Sequence, residues 1–430
     1  MAYDRDELNR RRHTRQAQRK KRMEQQRRLR IRLLAFAMIL LVCGFAIYFL
    51  TRGGDESGSG ENSAITLPTT VPTEPTERKR SEPTTTITIR AAGDLNITDK
   101  VVASGKTTLG YDYTKAFMDV AGLMADADLS MLNIEGIFVG EPYGTNSKSA
   151  PNEMLQALDA CGVDLIQAAN SYSIYDGISG LATTLRAIRS SGMEPVGAYA
   201  TPEEFQENKG YIICNVRGVK VAVVAFTKGM DSLGLPSGSE DCVNVLYKDY
   251  STTYHQVDTE GITEILENVE DEEPDITIAM LHWGSEYNDT ISETQKKIAS
   301  LMLDEGVDII LGTHSHMVHE IVYDKEADTL IAYSLGDFFG DGEKGGSNYS
   351  IILEMEITKD NETGTTKITN YNYIPIYTLT EGECDGQRRV VRIQQAMEAY
   401  ELNFVDKITK AAYDSMQNSL TRINARVHGK

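Results

Sequence analysis

Cysteine is scarce in this chain, with five in 430 residues. Cys43 falls in an apolar run, and Cys161, Cys214, Cys242 and Cys384 are scattered with no Cys-x-x-Cys pair. A body of this length does not need disulfides to fold, so these four read as free and structural. Basic charge is also short, with 43 Lys and Arg against 63 Asp and Glu and a net charge of −20. An acidic body repels phosphates, which argues against nucleic acid as a partner. No internal repeat is visible. Histidine is rare too: only seven occur, and four of them (His282, His314, His316 and His319) lie within one short stretch.

The charge is unevenly spread. Residues 1–32 hold 13 basic against 4 acidic residues, and the remainder holds 30 against 59. Between these blocks, residues 33–50 carry no charge. As a helix this run would span about 27 Å, close to the hydrocarbon thickness of a bilayer. The basic segment before it should stay in the cytoplasm and leave the C-terminal body outside. A cleaved signal peptide is the alternative. The run is longer than a usual signal core, however, and no Ala-x-Ala site follows it. Residues 51–85 are rich in Gly, Ser, Thr, Pro and Glu, as in a flexible stalk. The expected layout is therefore a basic cytoplasmic segment (1–32), one transmembrane helix (33–50), a stalk (51–85), a folded domain (86–380) and a helical tail (381–430).

From about Thr86 short β-rich runs alternate with helical stretches, then strand follows strand. The apolar patterns predict strands at Ile87–Ala92, Leu129–Ile134, Val163–Ala168, Pro195–Tyr199, Tyr211–Val216, Val219–Phe226, Asp275–Leu281, Val307–Leu311, Leu330–Ser334, Ser350–Ile357 and Lys367–Tyr377. Helices are predicted at Tyr113–Asp126, Pro151–Ala160, Ile178–Ser191, Thr259–Glu270 and Ser292–Asp304. Gly162, Gly192 and Gly306 each follow a helical run, as helix-ending glycines do. This order implies an α/β body with a sizeable mixed sheet.

The polar motifs sit where strands hand over to loops: Asp94, Asn133 with Glu135, Ala168-Ala-Asn-Ser-Tyr172, His282, His314-Ser-His316 and Asp337. Ligands of α/β folds gather at the carboxyl ends of strands. Carboxylates and imidazoles without thiolates suit Mn, Fe or Zn better than Ca or a structural zinc. Each residue also has a plain structural reading. Asp94 is a turn residue, Glu135 a solvated turn carboxylate, and His282 a packed histidine beside the only Trp. The His314-x-His316 pair is stronger, because positions i and i+2 share a face of an extended segment.

Together these motifs resemble the CapA family, the capsule or poly-γ-glutamate synthesis proteins, within the calcineurin-like metallophosphatase superfamily. The residues that carry the resemblance are Gly93-Asp94, Asn133-Ile-Glu135, Ala169-Asn-Ser-Tyr172, His282-Trp-Gly-Ser-Glu-Tyr287, Gly312-Thr-His-Ser-His316 and Tyr333-Ser-Leu-Gly-Asp-Phe338. Gln295 also fits. The resemblance covers about residues 87–340. It implies a metallophosphatase-like β-sandwich flanked by helices, with Asp94, Glu135, His282, His314 and His316 as metal ligands. Asn133, Asn170, Ser171, Glu286 and Asp337 are further site candidates.

The chain departs from the family pattern at one rim. Where the family has Asn-His, this chain has Ser171-Tyr172. Serine is a poorer neutral ligand than an amide oxygen. Tyrosine, with a pKa of about 10, does not replace a histidine poised near neutrality. Asn170 would supply the lost amide only if the loop slipped by one residue. Asp337 in place of Asn is a third change, expected near the mouth. Three readings follow. The first is a membrane-anchored envelope protein for the synthesis, export or anchoring of an anionic surface polymer, acting with a membrane synthesis complex. The second is a metal-dependent phosphoesterase of envelope substrates. The third is a catalytically degenerate binding or scaffold protein.

Overall fold

The computed structural model describes residues 82–403 and 407–429. The expected basic segment, transmembrane helix and nearly all of the stalk lie outside these residues. Among the described residues no helix is long and apolar enough to cross a membrane.

Two sheets form the centre. In chain order the strands are β1 (Thr84–Asn96), β2 (Lys106–Thr107), β3 (Gly110–Tyr111), β4 (Leu129–Glu135), β5 (Leu165–Gln167), β6 (Glu194–Val196), β7 (Tyr211–Val216), β8 (Val219–Thr227), β9 (Ile276–His282), β10 (Ile309–Thr313), β11 (Ile321–Asp324), β12 (Thr329–Ala332), β13 (Asp337–Phe339), β14 (Tyr349–Asp360), β15 (Thr366–Leu379) and β16 (Arg389–Arg392). The first sheet runs β16-β15-β14-β1-β4-β5-β6, with β13 also paired to β1, and the second runs β11-β12-β10-β9-β8-β7. Strands β2 and β3 form a separate small hairpin. The helices are α1 (Asp99–Ser104), α2 (Thr114–Ala125), α3 (Glu153–Ala160), α4 (Gly177–Ser190), α5 (Pro202–Asn208), α6 (Thr259–Asp271), α7 (Glu293–Asp304), α8 (Ile393–Glu401) and α9 (Lys410–Val427).

Alternation along the strands explains the layering, because successive side chains leave opposite faces. Ile87, Ile89 and Met131 of one sheet share a buried cluster with Val221, Val223 and Ile278 of the other, so the sheets face each other. The intervening residues point outward. Leu132 and Ile134 pack with Phe117 and Val120 of α2 and Leu155 of α3. Ala279 and Leu281 pack with Ile262 and Leu266 of α6 and Ile298 of α7. The result is a mixed α/β fold with two facing sheets and helices on the outer faces of both.

The central strands are buried on both faces: every residue of β4 and of β9 is buried. That burial is why they read as continuous apolar runs rather than as alternation. The predicted helices and strands appear with shifted ends, and Gly162, Gly192 and Gly306 adopt left-handed backbone. The C-terminal segment differs from the helical tail expected from residue 381. Arg389–Arg392 forms strand β16, antiparallel to β15. Ala412, Met416, Ile423 and Val427 of α9 then join the cluster between the sheets. A polar helix whose apolar residues recur every three or four positions buries one stripe, and here that stripe completes the core.

Four described cysteines, Cys161, Cys214, Cys242 and Cys384, are free. Burial pushes the Cys161 thiol up to about 12, so it stays protonated and inert.

Candidate metal centre

Strand register brings the polar motifs to one end of the sandwich. In the first sheet Asp94 of β1 lies opposite Asn133 of β4, and Asn96 opposite Glu135. Asp94 also lies opposite Asp337 of β13. In the second sheet His282 of β9 lies opposite Thr227 of β8 and Thr313 of β10. The turn after β10 then carries His314 and His316. Both take left-handed backbone, at φ 83° and 57°. Such backbone is costly for a residue with a Cβ, and its recurrence in one short turn marks a constrained site.

Gly93 sets how closely the strands approach. A Cβ there would lie 1.7 Å from the Gly336 carbonyl oxygen. Its absence lets the Asp94 N–H donate to that oxygen at 2.9 Å. Asp94 then accepts from the His314 N–H at 2.8 Å and from the Asn133 amide at 2.5 Å. One carboxylate thereby ties the two sheets together.

Glu135 is the hub. Its Oε1 lies 3.3 Å from His282 Nε2 and 3.6 Å from His314 Nδ1, and its Oε2 lies 3.3 Å from His316 Nε2. None of these contacts is a hydrogen bond: both carboxylate oxygens are buried without a hydrogen-bond partner, as are Asn133 Oδ1 and His314 Nε2. Buried polar atoms are nearly always partnered, so four such atoms on residues of one cluster need an explanation. A divalent cation supplies one. Glu135, His282 and His314 bring one ligand atom each within 4.8 Å of one another, and so do Asp94, His316 and Asp337. Glu135, Glu286 and His316 form a third such group. These O/N donor sets, without sulfur, fit a divalent metal.

The electrostatics carry the same signature. Burial, with Glu135 and Asp337 nearby, pushes Asp94 up to about 8. Burial also pushes Asp337 up to about 6, against the pull of His316. For Glu135 burial opposes ionisation, but His316 and His282 outweigh it and hold the carboxyl well below its ordinary range. His314 falls to about 4 through burial and the neighbouring His282. His316 rises well above the usual imidazole value, because Asp337 and Glu135 overcome its burial. Asp94 and Asp337 therefore keep their protons more readily than ordinary carboxylates, whereas Glu135 gives its proton up more readily.

The structure also places the remaining candidates. Ser171 Oγ lies 2.9 Å from His282 Nε2 and 3.4 Å from His314 Nδ1, so serine does face the centre. Asn170 does not. Its Oδ1 accepts from the Tyr172 N–H, and its amide donates to the Ile134 carbonyl at 2.7 Å. The loop is pinned in register, and the slip that would have made Asn170 a ligand does not occur. Asp337 lies inside the cluster rather than near the mouth. It is buried and bonded to His316 Nδ1 at 2.7 Å, because the short strand β13 returns beside β1. Glu286 is exposed and stands at the entrance. Gln295 caps α7 with Ser292, and its carbonyl accepts from the Ser292 N–H.

Sequence reasoning missed three neighbours. Thr313 Oγ1 lies 3.1 Å from His282 Nδ1. The Tyr287 ring stacks on His316 at 4.9 Å. Lys228 donates to the Gly284 carbonyl at 2.9 Å. Each adjoins one of the polar motifs or a strand end, which was the available signal.

A family model described as bacterial capsule synthesis protein PGA_cap matches residues 88–341. A capsule biosynthesis protein CapA of Bacillus anthracis is 27% identical over 229 residues, 52% of this chain and 51% of that protein. A PGA biosynthesis protein CapA of Bacillus subtilis (strain 168) is 27% identical over 236 residues, 53% of this chain and 57% of that protein. The chain thus spans about half the length of the curated relatives it matches. Among solved structures, the calcineurin-like phosphoesterase YfkN from Bacillus subtilis aligns over 80% of this chain and 98% of that one, at 15% identity and a TM-score of 0.40.

Proposed function

Because this chain belongs to the bacterial capsule synthesis protein family PGA_cap, we propose that it is an accessory protein of capsule or poly-γ-glutamate synthesis whose buried centre holds divalent cations beside an anionic surface polymer. In this reading residues 33–50 span the cytoplasmic membrane, 1–32 stay inside, and the body acts outside with a membrane synthesis complex. The observation that carries the metal reading is Glu135, a fully buried carboxylate with both oxygens unpartnered and three imidazoles around it.

Glu135, His282, His314 and Ser171 would hold one cation, and Asp94, His316 and Asp337 a second. Mn, Fe and Zn suit these donors. A cation bound there supplies Lewis acidity and lowers the pKa of a bound water. The chain's own residues favour holding an anion over cleaving it. Burial drives the Tyr172 hydroxyl further above its ordinary pKa, and Glu135 and Glu286 add to the effect. That hydroxyl is a poor proton donor or acceptor near neutrality. The binding role therefore ranks ahead of the phosphoesterase reading.

Full-length protein reconstituted with Mn, Fe or Zn is expected to retain metal in elemental analysis, and Glu135→Gln to lose most of it. Wild-type protein that keeps no more metal than the variant overturns the reading.

A further inference from the structure

A cavity of about 590 Å³ lies between helix α2 and the corner where strand β16 leads into helix α8. The β16 and α8 side of it follows residue 341, where the family match ends. None of its lining residues belongs to the metal centre. Its volume is in the range of small-molecule sites.

Leu123, Val391, Ala396 and Ile408 give the cavity an apolar wall, and Arg389 and Arg392 give it two guanidinium groups. Arg389 is only 8% exposed, yet its Nε has no hydrogen-bond partner. The Asp119 carboxylate stands 3.4 Å from that nitrogen and Asp385 stands 4.0 Å from Nη1. These carboxylates balance the charge without accepting from Nε. Arg392 is served less well. Its Nε is also buried and unpartnered, and among the described residues its side chain makes no hydrogen bond or ion pair. Buried polar atoms nearly always find partners. Two guanidinium nitrogens without one, at a single cavity, call for an acceptor from outside the chain.

The surroundings identify that acceptor. A guanidinium offers five N–H groups in a planar fork that matches a carboxylate. Asp119 and Asp126 also border the cavity. They would repel a second negative charge, which favours a monoanion over a phosphate. The apolar wall favours contact with hydrocarbon over water. Helix α2 leaves room for such a body, because a Cβ at Gly122 would meet nothing within 4 Å.

We propose that this cavity binds an aliphatic monocarboxylate, with its head on Arg392 and Arg389 and its hydrocarbon body against Leu123, Val391, Ala396 and Ile408. The site is separate from the metal centre and does not depend on it.

The test titrates hexanoate into full-length protein in a nonionic detergent, with protein-free micelles as the blank. Acetate supplies the head without the body, hexanol the body without the head, and hexylammonium the opposite charge. Hexanoate should bind at least about tenfold more tightly than acetate, since each buried CH₂ is worth about fourfold in affinity. It should also bind more tightly than hexanol and hexylammonium. Arg392→Gln should weaken hexanoate about tenfold, the scale of a hydrogen bond to a charged group, and leave hexanol unchanged. Arg392→Lys keeps the charge without the fork and should fall between. Gly122→Leu fills the cavity from an exposed helix position and should abolish hexanoate binding without lowering Tm. Hexanoate binding no tighter than that of acetate or hexylammonium overturns the proposal. So does wild-type hexanoate affinity in either Arg392→Gln or a folded Gly122→Leu variant. An equal loss of hexanol in Arg392→Gln would mean that Arg392 only shapes the cavity, and overturns it as well.

Discussion

The two sheets contribute to the centre in different ways. The six-stranded sheet supplies imidazoles. His282 ends β9, and His314 and His316 follow β10 in a turn with left-handed backbone. The eight-stranded sheet supplies carboxylates, with Asp94 on β1, Glu135 on β4 and Asp337 on β13. Its next loop, after β5, carries the Ser171-Tyr172 departure. The imidazole wall keeps every motif residue expected of it, at a cost in backbone strain. The carboxylate wall has exchanged residues, but one exchange, Asp337, places an additional carboxylate against Asp94 and His316. The departures are thus not uniform. The group Glu135, His282 and His314 has a serine as its neutral neighbour, whereas Asp94 and His316 have gained an ionisable partner.

The largest effect that would break this comparison is mechanical. Gly93→Ala puts a Cβ 1.7 Å from the Gly336 carbonyl oxygen. Backbone cannot yield as a side-chain end can, so β1 and β13 must separate. The expected cost is about 3 kcal/mol in chemical denaturation, the upper part of the overpacking range. Asp94 should lose contact with Asp337, and metal capacity should fall while the contacts of Glu135 with His282 and His314 persist. A variant as stable as wild type would show that the strands do not need this close approach.

Much of this arrangement was legible in the sequence. Asp94, Glu135, His282, His314 and His316 each end or follow a buried strand, and an apolar run that stops at a polar residue identifies that position without knowledge of the fold. What local pattern does not encode is long-range register. Asp337 looked like a rim residue because nothing near it announces a three-residue strand pairing with β1, more than two hundred residues away. Strand β16 was hidden for the same reason: Arg389–Arg392 pairs at the sheet edge, where no continuous apolar run is required. Asn170 was ambiguous because its loop register depends on a bond to the Ile134 carbonyl of another strand.

A second effect follows from the protons held on the carboxylate wall. Asp94 sits at about 8 and Asp337 at about 6, both above ordinary values, and His316 is raised as well. The metal-free fold therefore binds more protons than the unfolded chain, and these groups cost it stability as pH rises through their folded values. His282 and His314 are lowered and act with the opposite sign, but only below the ordinary imidazole value of about 6.5. Between pH 6.5 and 8.5 the carboxylates and His316 decide the trend. Metal binding displaces their protons, so metal-induced stabilisation should be larger at pH 8.5 by about 1–3 kcal/mol, since a tenfold change in proton affinity is worth ~1.4 kcal/mol. Thermal unfolding with and without Mn at the two pH values reads this. An equal increment would show that the metal does not bind against these protons.

The smallest effect concerns the exchanged loop and divides the imidazole wall from its missing partner. Ser171 Oγ already lies 2.9 Å from His282 Nε2, so the position faces the centre and only the donor differs. Ser171→Asn puts an amide oxygen there and should tighten metal binding severalfold, roughly 1 kcal/mol, the scale of one improved polar contact. Tyr172→His adds an imidazole that titrates near neutrality, and general acid–base catalysis from a positioned group contributes about 10²–10⁴-fold. The gain here should lie at or below the lower end, because the loop was not shaped for an imidazole. Lys148 would also lose the tyrosine face that holds it. The double variant is thus expected to hydrolyse a generic phosphodiester measurably faster than wild type, with the single Ser171→Asn variant changing metal affinity but not rate. A double variant that binds metal more tightly yet cleaves no faster would mean that the carboxylate wall, with Asp337 drawn inward against His316, is arranged to hold an anion and that restoring the loop does not make it a hydrolase.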